Sequence, residues 1–565
     1  MSEESHSPIW KGAGAVGAAT LISRLLGLVR VQAFAILFGA SSATDAFNVA
    51  FRIPNLFRNL LAEGALSAAL VPTFTRARME SGPRRAWRLA NLVFSILFIG
   101  VGILAIGGVC FAPQIVRIYA GAFRQIPGKF ELTTILTRVM FPYFPFVTLA
   151  AAFTGVLNAC GFFFLPALSA AIFNLSSILV GVALSLILMR HPHYGISPIV
   201  GMAFGVLAGG FCQALCQVPL LFRAGFSFSG GRKADETFEP LWFRDPALRQ
   251  MLGLMAPGVI GLAATQASIL VNTLLATSQR EGSVSWLEYA FRLMQFPIGL
   301  FGASIASATA PVVARQWVGG DVVGVRDTLT KSLKAVFAMN LPASAGLAFL
   351  GVPIVELLFQ YGRFYPDATQ ATALALAMYA VGLTAYSMVK LLVPACYALG
   401  NARVPVLASV GCLLLTVVLN VIMIGPFGYW GLALGTSIGA IANSLILVIF
   451  IRGRIEAQGV DFRLADLVRS FLAQLGLALF MGGAAYATYL GLLKWAPDRL
   501  FIELFEHFLG KMTLPVARGV KVGLLIAESM VVIAVTARVL RIRDTTEALD
   551  FFSRKLKKKL RWFRT

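Results

Sequence analysis

Charge is scarce in this chain. Asp, Glu, Lys and Arg make up 13% of its 565 residues, against about 25% in a typical soluble domain. Hydrophobic residues make up 58%, and the mean hydropathy is +0.78. This balance excludes an ordinary water-soluble enzyme. Acids are the scarcer sign, 26 Asp and Glu against 48 Lys and Arg, a formal +22. In a soluble protein such an excess points to nucleic acid; in a membrane protein it first marks cytoplasmic loops. Histidines number 4, and His191 and His193, which flank a proline in a short outer loop, read as incidental. The six cysteines, Cys110, Cys160, Cys212, Cys216, Cys396 and Cys412, all lie in or beside apolar runs, as small hydrophobes do. Cys212 and Cys216 share a helix face, but no histidine joins them, so no metal site is expected. A Walker A sequence is missing, which argues against ATP as the direct energy source. No nucleophile has a plausible base, so neither catalytic residues nor a cofactor are expected.

What is present is long apolar sequence. Windows of about 19–20 residues, the length that crosses the hydrocarbon, divide it into fourteen stretches: 13–38, 44–75, 89–111, 134–158, 164–189, 196–222, 250–277, 284–314, 335–358, 369–399, 404–425, 429–451, 470–493 and 522–540. Runs of this length are helices; barrel strands would alternate in shorter segments. Pro342 and Pro353 make the end of 335–358 the least defined. The first run is too long for a cleavable signal peptide, holds Arg24 and Arg30, and lacks a small-residue cleavage site.

The connections carry basic residues unequally. Arg76, Arg78, Arg84, Arg85 and Arg88 follow the second run, and Arg223, Arg232, Lys233, Arg244 and Arg249 follow the sixth. The tail holds Lys555, Lys557 to Lys559, Arg561 and Arg564. By the positive-inside rule both termini are expected to be cytoplasmic. The tail reads either as a juxtamembrane stop on anionic headgroups or as a specific partner site.

Sliding the sequence on itself by about 240 residues matches three segments in order. Phe51-Arg52-Ile53, with Ser67, Pro72 and Arg76, resembles Phe291-Arg292-Leu293, with Ser307, Pro311 and Arg315. Ala112-Pro113-Gln114-Ile115-Val116 resembles Val352-Pro353-Ile354-Val355. Asn158-Ala159-Cys160-Gly161, with Pro166, resembles Leu399-Gly400-Asn401, with Pro405. Three matches in register imply duplication of a six-helix unit, so both copies enter the membrane in the same sense. The expected fold is an all-α polytopic membrane protein of 14 transmembrane helices: two pseudo-symmetric six-helix lobes, 1–222 and 250–452, joined by a cytoplasmic linker, 223–249. Helices 13 and 14, within 453–541, lie outside the duplication, and 542–565 is a basic cytoplasmic tail.

Arg24, Arg30, Arg52, Arg58, Arg138, Arg292 and Lys390 fall inside expected spans, whereas the acids there are Asp45, Glu63, Glu288, Glu356 and Glu528. An arginine at the bilayer centre costs at least roughly 2.5–3.5 kcal/mol, so such residues face a cavity, pair internally or snorkel. Arg138, near Pro142 and a helix end, is read as snorkelling. Pairing with Asp45, Glu63 and Glu288 would occupy some of the others, but the acids are too few for all. Arg24 and Arg30 lie about 120° apart around one helix and can border a broad chamber, not a narrow stripe. A surplus of guanidinium groups selects an anion, and phosphate oxygens suit them bidentately.

Ser23-Arg24-Leu25-Leu26-Gly27, Phe38-Gly39-Ala40, Thr44-Asp45-Ala46-Phe47, Phe51-Arg52-Ile53-Pro54-Asn55-Leu56 and Ala62-Glu63-Gly64-Ala65 resemble the bacterial lipid II flippases of the MurJ (MviN) family. Ser283-Val284-Ser285-Trp286, Phe359-Gln360-Tyr361-Gly362 and Val389-Lys390 add to the likeness. The resemblance implies a multi-pass protein of the bacterial inner membrane. It would carry the undecaprenyl-diphosphate-linked peptidoglycan precursor, lipid II, from the cytoplasmic to the periplasmic leaflet by alternating access. Membrane lipids and cell-wall synthesis machinery are the implied partners, and nucleic acid is not. It assigns Arg24, Arg30, Asp45, Arg58 and Arg292 to the substrate, with Glu63 as a partner and Arg52 and Lys390 as secondary candidates. Helices 13 and 14 resemble the family's extra pair, which forms a groove for the polyprenyl tail. Phe291 and Gln295 stand where relatives can carry acids, and Asn59 where they can carry a second arginine, so the local charge network differs. Residues 250–277 contain no acid, which favours membrane potential over a sodium site as the driver. Flipping of another polyprenyl-diphosphate glycan is the nearest alternative. A cation-coupled drug exporter would call for buried acids, and a non-transporting scaffold would leave the arginines without purpose.

Overall fold

The fold follows from which stretches are apolar enough to be buried in lipid and which carry a polar stripe that must be answered within the protein. A computed structural model describes residues 7–61, 66–227, 246–401, 403–495, 513–542, 544–547 and 550. Glu63, most of the linker expected at 223–249, and nearly all of the basic tail lie outside the described residues. Among the described residues the structure is helical and has no strand. The chain divides into two units, Met1–Ser285 and Trp286–Thr565.

The first unit contains α1 (Ser7–Phe38), α2 (Ser42–Leu61), α3 (Ser67–Glu80), α4 (Gly82–Cys110), α5 (Ala112–Ala120), α6 (Lys129–Met140), α7 (Tyr143–Ala159), α8 (Phe164–Arg190), α9 (Val200–Leu215), α10 (Val218–Arg223) and α11 (Pro246–Thr277). Its last residues open α12 (Ser283–Pro297), which continues into the second unit through a π-helical turn, Ile298–Gly302. There follow α13 (Ala303–Val318), α14 (Val322–Phe349), α15 (Gly351–Phe359), α16 (Pro366–Ala398), α17 (Arg403–Phe427), α18 (Tyr429–Glu456), α19 (Leu464–Trp495) and α20 (Thr513–Val539).

Among the described residues eleven helical stretches are long and apolar enough to cross a membrane, and twelve if α14 and α15, bent by 76°, count as one span. Two expected spans are not among these. The run 44–75 is divided between α2 and α3, and α2 is interrupted by a polar stripe. The run 250–277 falls within α11, whose 32 residues extend about 48 Å at 1.5 Å per residue. The run 335–358, whose end the sequence left least defined, is divided by the bend between α14 and α15: Pro342 sits inside a continuous α14, and the chain turns at Leu350. Pro353 lies in the first turn of α15, where its missing N–H costs nothing.

All three sequence matches adopt matching local structure. The Arg52 and Arg292 segments are helical, in α2 and α12. Pro113 and Pro353 each open a nine-residue helix, α5 and α15. Beyond α7 and α16 the chain turns through a left-handed glycine, Gly161 at φ +88° and Gly400 at φ +77°. The next residue donates back to the helix, Phe162 to Leu157 at 2.9 Å and Asn401 to Cys396 at 3.0 Å, and only glycine holds that conformation without strain. Two helix pairs also share one packing device. On α9, Gly201, Gly205 and Gly209 lie against Ser185, Gly181 and Ser177 of α8; a Cβ on Gly205 would come within 2.6 Å of Ser177 O. On α18, Gly435 and Gly439 lie against Asn420 and Thr416 of α17. Small residues four apart let backbones meet where no water drives association.

Candidate functional site

The polar stripe of α2 is answered by partners on several other helices. Asp45, Asn48, Arg52, Asn55 and Asn59 recur at intervals of three and four, which places them on one helix face. In an otherwise apolar unit each of these groups needs a partner.

Asp45 is satisfied on both oxygens. Oδ2 accepts from Lys129 Nζ at 3.0 Å and from the Gly282 amide at 2.8 Å; Oδ1 accepts from the Ser285 amide at 3.0 Å and its hydroxyl at 2.7 Å. The Asp45 and Lys129 side chains are each 2% exposed. One turn on, Asn48 donates to Ser285 Oγ at 3.3 Å. Arg52 Nη1 donates to Thr273 Oγ1 of α11 at 2.8 Å, and Asn55 Oδ1 accepts from Tyr143 of α7 at 2.6 Å. Arg58 donates from Nε and Nη2 to Asn59 Oδ1 at 3.3 and 3.1 Å.

Glu281 completes this cluster from the turn before α12, accepting the Ser42 amide at 2.8 Å. Hydrogen bonding from Ser42 holds its carboxyl below the ordinary range, and the Lys129 charge adds to that effect.

The other expected site residues fall in different surroundings. Arg30 is 9% exposed, its guanidinium 5.7 Å from the Phe51 ring centroid and 5.2 Å from that of Phe173. Cation–π contact of this kind supports a desolvated guanidinium. Arg24 is exposed on the same helix, near where Asn174 of α8 donates to Ser23 O at 3.1 Å. The contrast agrees with the angular separation of Arg24 and Arg30. In the second unit Arg292 pairs with Glu288 at 2.9 Å, one helical turn away. Lys390 and Arg138 are exposed on α16 and α6.

Lys129, Glu281 and Ser285 were not among the expected site residues. The fourth span was set to begin at 134, which left Lys129 in a connection, but α6 starts at Lys129 itself. The 240-residue offset held a signal: it pairs Asp45 with Ser285.

The second unit holds an apolar cavity of about 480 Å³ between α14, α16, α18 and α19. Phe337, Val381, Met388, Leu445, Phe471 and Leu479 are among its lining residues. Its wall is apolar but for three hydroxyl residues, of which Ser344 and Ser444 are turned into their own scaffold, bonding Ala380 O and Ile441 O, and Thr384 is the third. It therefore suits hydrocarbon. α19, expected to lie outside the duplication, contributes to the lining. Among the described residues no cluster of three or more His, Cys, Asp or Glu could hold a metal ion.

Residues 34–506 match the family described as "Lipid II flippase MurJ". The chain belongs to that family. A "Lipid II flippase MurJ" from Burkholderia cenocepacia is 33% identical over 473 residues, covering 83% of this chain and 88% of the relative. A "Probable lipid II flippase MurJ" from Vibrio cholerae is 33% identical over 493 residues, covering 86% and 88%. Among solved structures, "Lipid II flippase MurJ, inward closed conformation" superposes with a TM-score of 0.71 at 23% identity, covering 93% of this chain and 99% of that one. An inward-facing multidrug resistance MATE family transporter of the MOP superfamily superposes at 0.62 and 17% identity, covering 79% and 99%. Both structural likenesses speak to the fold. The family is one of multi-pass membrane transporters, not enzymes.

Proposed function

We propose that this chain is a flippase that moves lipid II from the cytoplasmic to the periplasmic leaflet of a bacterial inner membrane by alternating access. Family membership across residues 34–506 is the observation that carries this reading. On this reading there are fourteen spans: the twelve helical stretches, α11, and α2 with α3 as one crossing. The two six-helix repeats run parallel, and both termini are cytoplasmic. Arg24, Arg30, Arg58 and Arg292 bind the diphosphate and nearby headgroup, with Arg52 and Lys390 in support and Glu63 pairing one of the arginines. What supports this is the chemistry: guanidinium groups at membrane depth favour phosphate oxygens, and Arg30 is held desolvated between rings. Asp45 belongs to the frame of the site, because its oxygens are already occupied by four donors. The apolar cavity of α14, α16, α18 and α19 takes part of the polyprenyl tail, and membrane potential drives the cycle. The test is complementation of a bacterium depleted of its own lipid II flippase, with inner-leaflet lipid II measured. Restored growth and falling lipid II support the reading. A well-expressed protein that leaves lipid II trapped contradicts it.

A further inference from the structure

We propose that Lys129 is a positioning residue for transport, the counter-charge that holds together two reciprocal helix caps at the starts of α2 and α12. The inference rests on the flippase reading for its consequence, but not for its geometry.

Each of the two helices takes its N-terminal acceptor from the other. Asp45 on α2 accepts the amides of Gly282 and Ser285 at the start of α12. Glu281, just before α12, accepts the amide of Ser42 at the start of α2. Residue separations of 237 to 240 place these bonds at corresponding points of the sequence repeat. A carboxylate suits a helix N-terminus, where unbonded amides and the helix dipole both favour negative charge. Two such carboxylates side by side, one of them buried, require a cation.

Lys129 supplies it and is placed to do so. Gly128 at φ +74° turns the chain so that α6 begins on Lys129. Its ammonium lies 3.0 Å from Asp45 and 4.1 Å from the Phe123 ring centroid. A lysine at 2% side-chain exposure carries a desolvation penalty that an apolar residue of like volume avoids. The arrangement does something an apolar plug cannot: it makes the separation of 281–285 from 42–45 a single charged event, with Lys129 setting how readily it occurs.

The experiment measures two quantities on protein reconstituted in vesicles. One is amide hydrogen exchange at 282–285; the other is the rate of lipid II transfer. Lys129→Met is expected to speed exchange there by about a hundredfold or more, the loss of one partner of a buried ion pair, and to cut transfer by about tenfold or more, compared at equal amounts of folded protein. Lys129→Arg is expected to restore most of both, a rescue that mere space-filling would not need. If Lys129→Met fails to fold, Glu281→Gln carries the test, with faster exchange expected at Ser42 and slower transfer. Wild-type exchange and transfer in Lys129→Met, or in Glu281→Gln should it stand in, would overturn the proposal. So would equal loss in Lys129→Met and Lys129→Arg. If the wild type itself moves no lipid II, the flippase reading fails, while the exchange measurement still decides whether Lys129 holds the caps.

Discussion

Replacing Asp45 with asparagine separates a framework role from a ligand role. Asparagine keeps the shape but offers one carbonyl oxygen where the carboxylate offers two. If that oxygen faces the Ser285 amide and hydroxyl, the new NH2 group is turned toward the Gly282 amide and the Lys129 ammonium, both donors. Whichever way the amide turns, Lys129 is left buried without its anion. Breaking a buried pair by removing one partner costs about 3–5 kcal/mol, which is roughly two to three and a half decades in the unfolding equilibrium. Thermal unfolding in detergent micelles, with flipping measured on protein that remains folded, reads the effect. Ser285→Ala, which removes one of the four donors, should cost only about 1 kcal/mol. An Asp45→Asn protein that is within about 0.5 kcal/mol of wild type yet inactive would refute this reasoning and return Asp45 to the substrate.

Three further outcomes follow from the geometry. Gly205→Leu on α9 should abolish folded protein, because even its Cβ would meet α8 backbone at 2.6 Å, whereas Gly100→Leu on α4, with nothing within 4 Å, should be tolerated; expression and thermal midpoints check the pair. Ala348→Trp in the apolar cavity should slow transfer of lipid II bearing a full-length tail more than of a short-chain analogue, and equal slowing would count against a tail site there. Glu281 is held below its ordinary value, so its contribution is present above the usual carboxylate range of about 4.3 and is lost as pH falls through its lowered value. The thermal midpoint should therefore drop below about pH 4, by less in Glu281→Gln than in wild type.

The parts of this molecule legible in sequence were those with a periodic or compositional signature. The long apolar runs located most of the helices, since nothing else satisfies a backbone in lipid. The repeat was legible because left-handed glycines and helix-opening prolines are locally irreplaceable, as Gly161, Gly400, Pro113 and Pro353 show. The bend at Leu350 was not, because the run 335–358 is apolar on both sides of it and its two prolines leave only its end undefined. Arg24, Arg30, Arg58 and Arg292 stood out as charges in apolar sequence, but their surroundings could be read there only in part. Arg292 meets Glu288 one turn away on its own helix, a spacing visible in the sequence, but the ring that Arg30 meets, Phe173, lies on a helix far away in the chain. Lys129 and Glu281 went unnoticed because a charge in a connection looks solvated until the tertiary fold buries or pairs it. The apolar cavity was hidden for the opposite reason: four apolar helices look alike until they are packed.

Transfer of lipid II across the bilayer of vesicles containing only this protein tests the central claim most directly, with Arg24→Ala and Arg292→Ala measured beside the wild type at equal amounts of folded protein. The account predicts transfer by the wild type, driven by an imposed membrane potential, and at least a tenfold loss in each arginine variant. Transfer that is unchanged in both variants, or absent from folded wild-type protein, would contradict it.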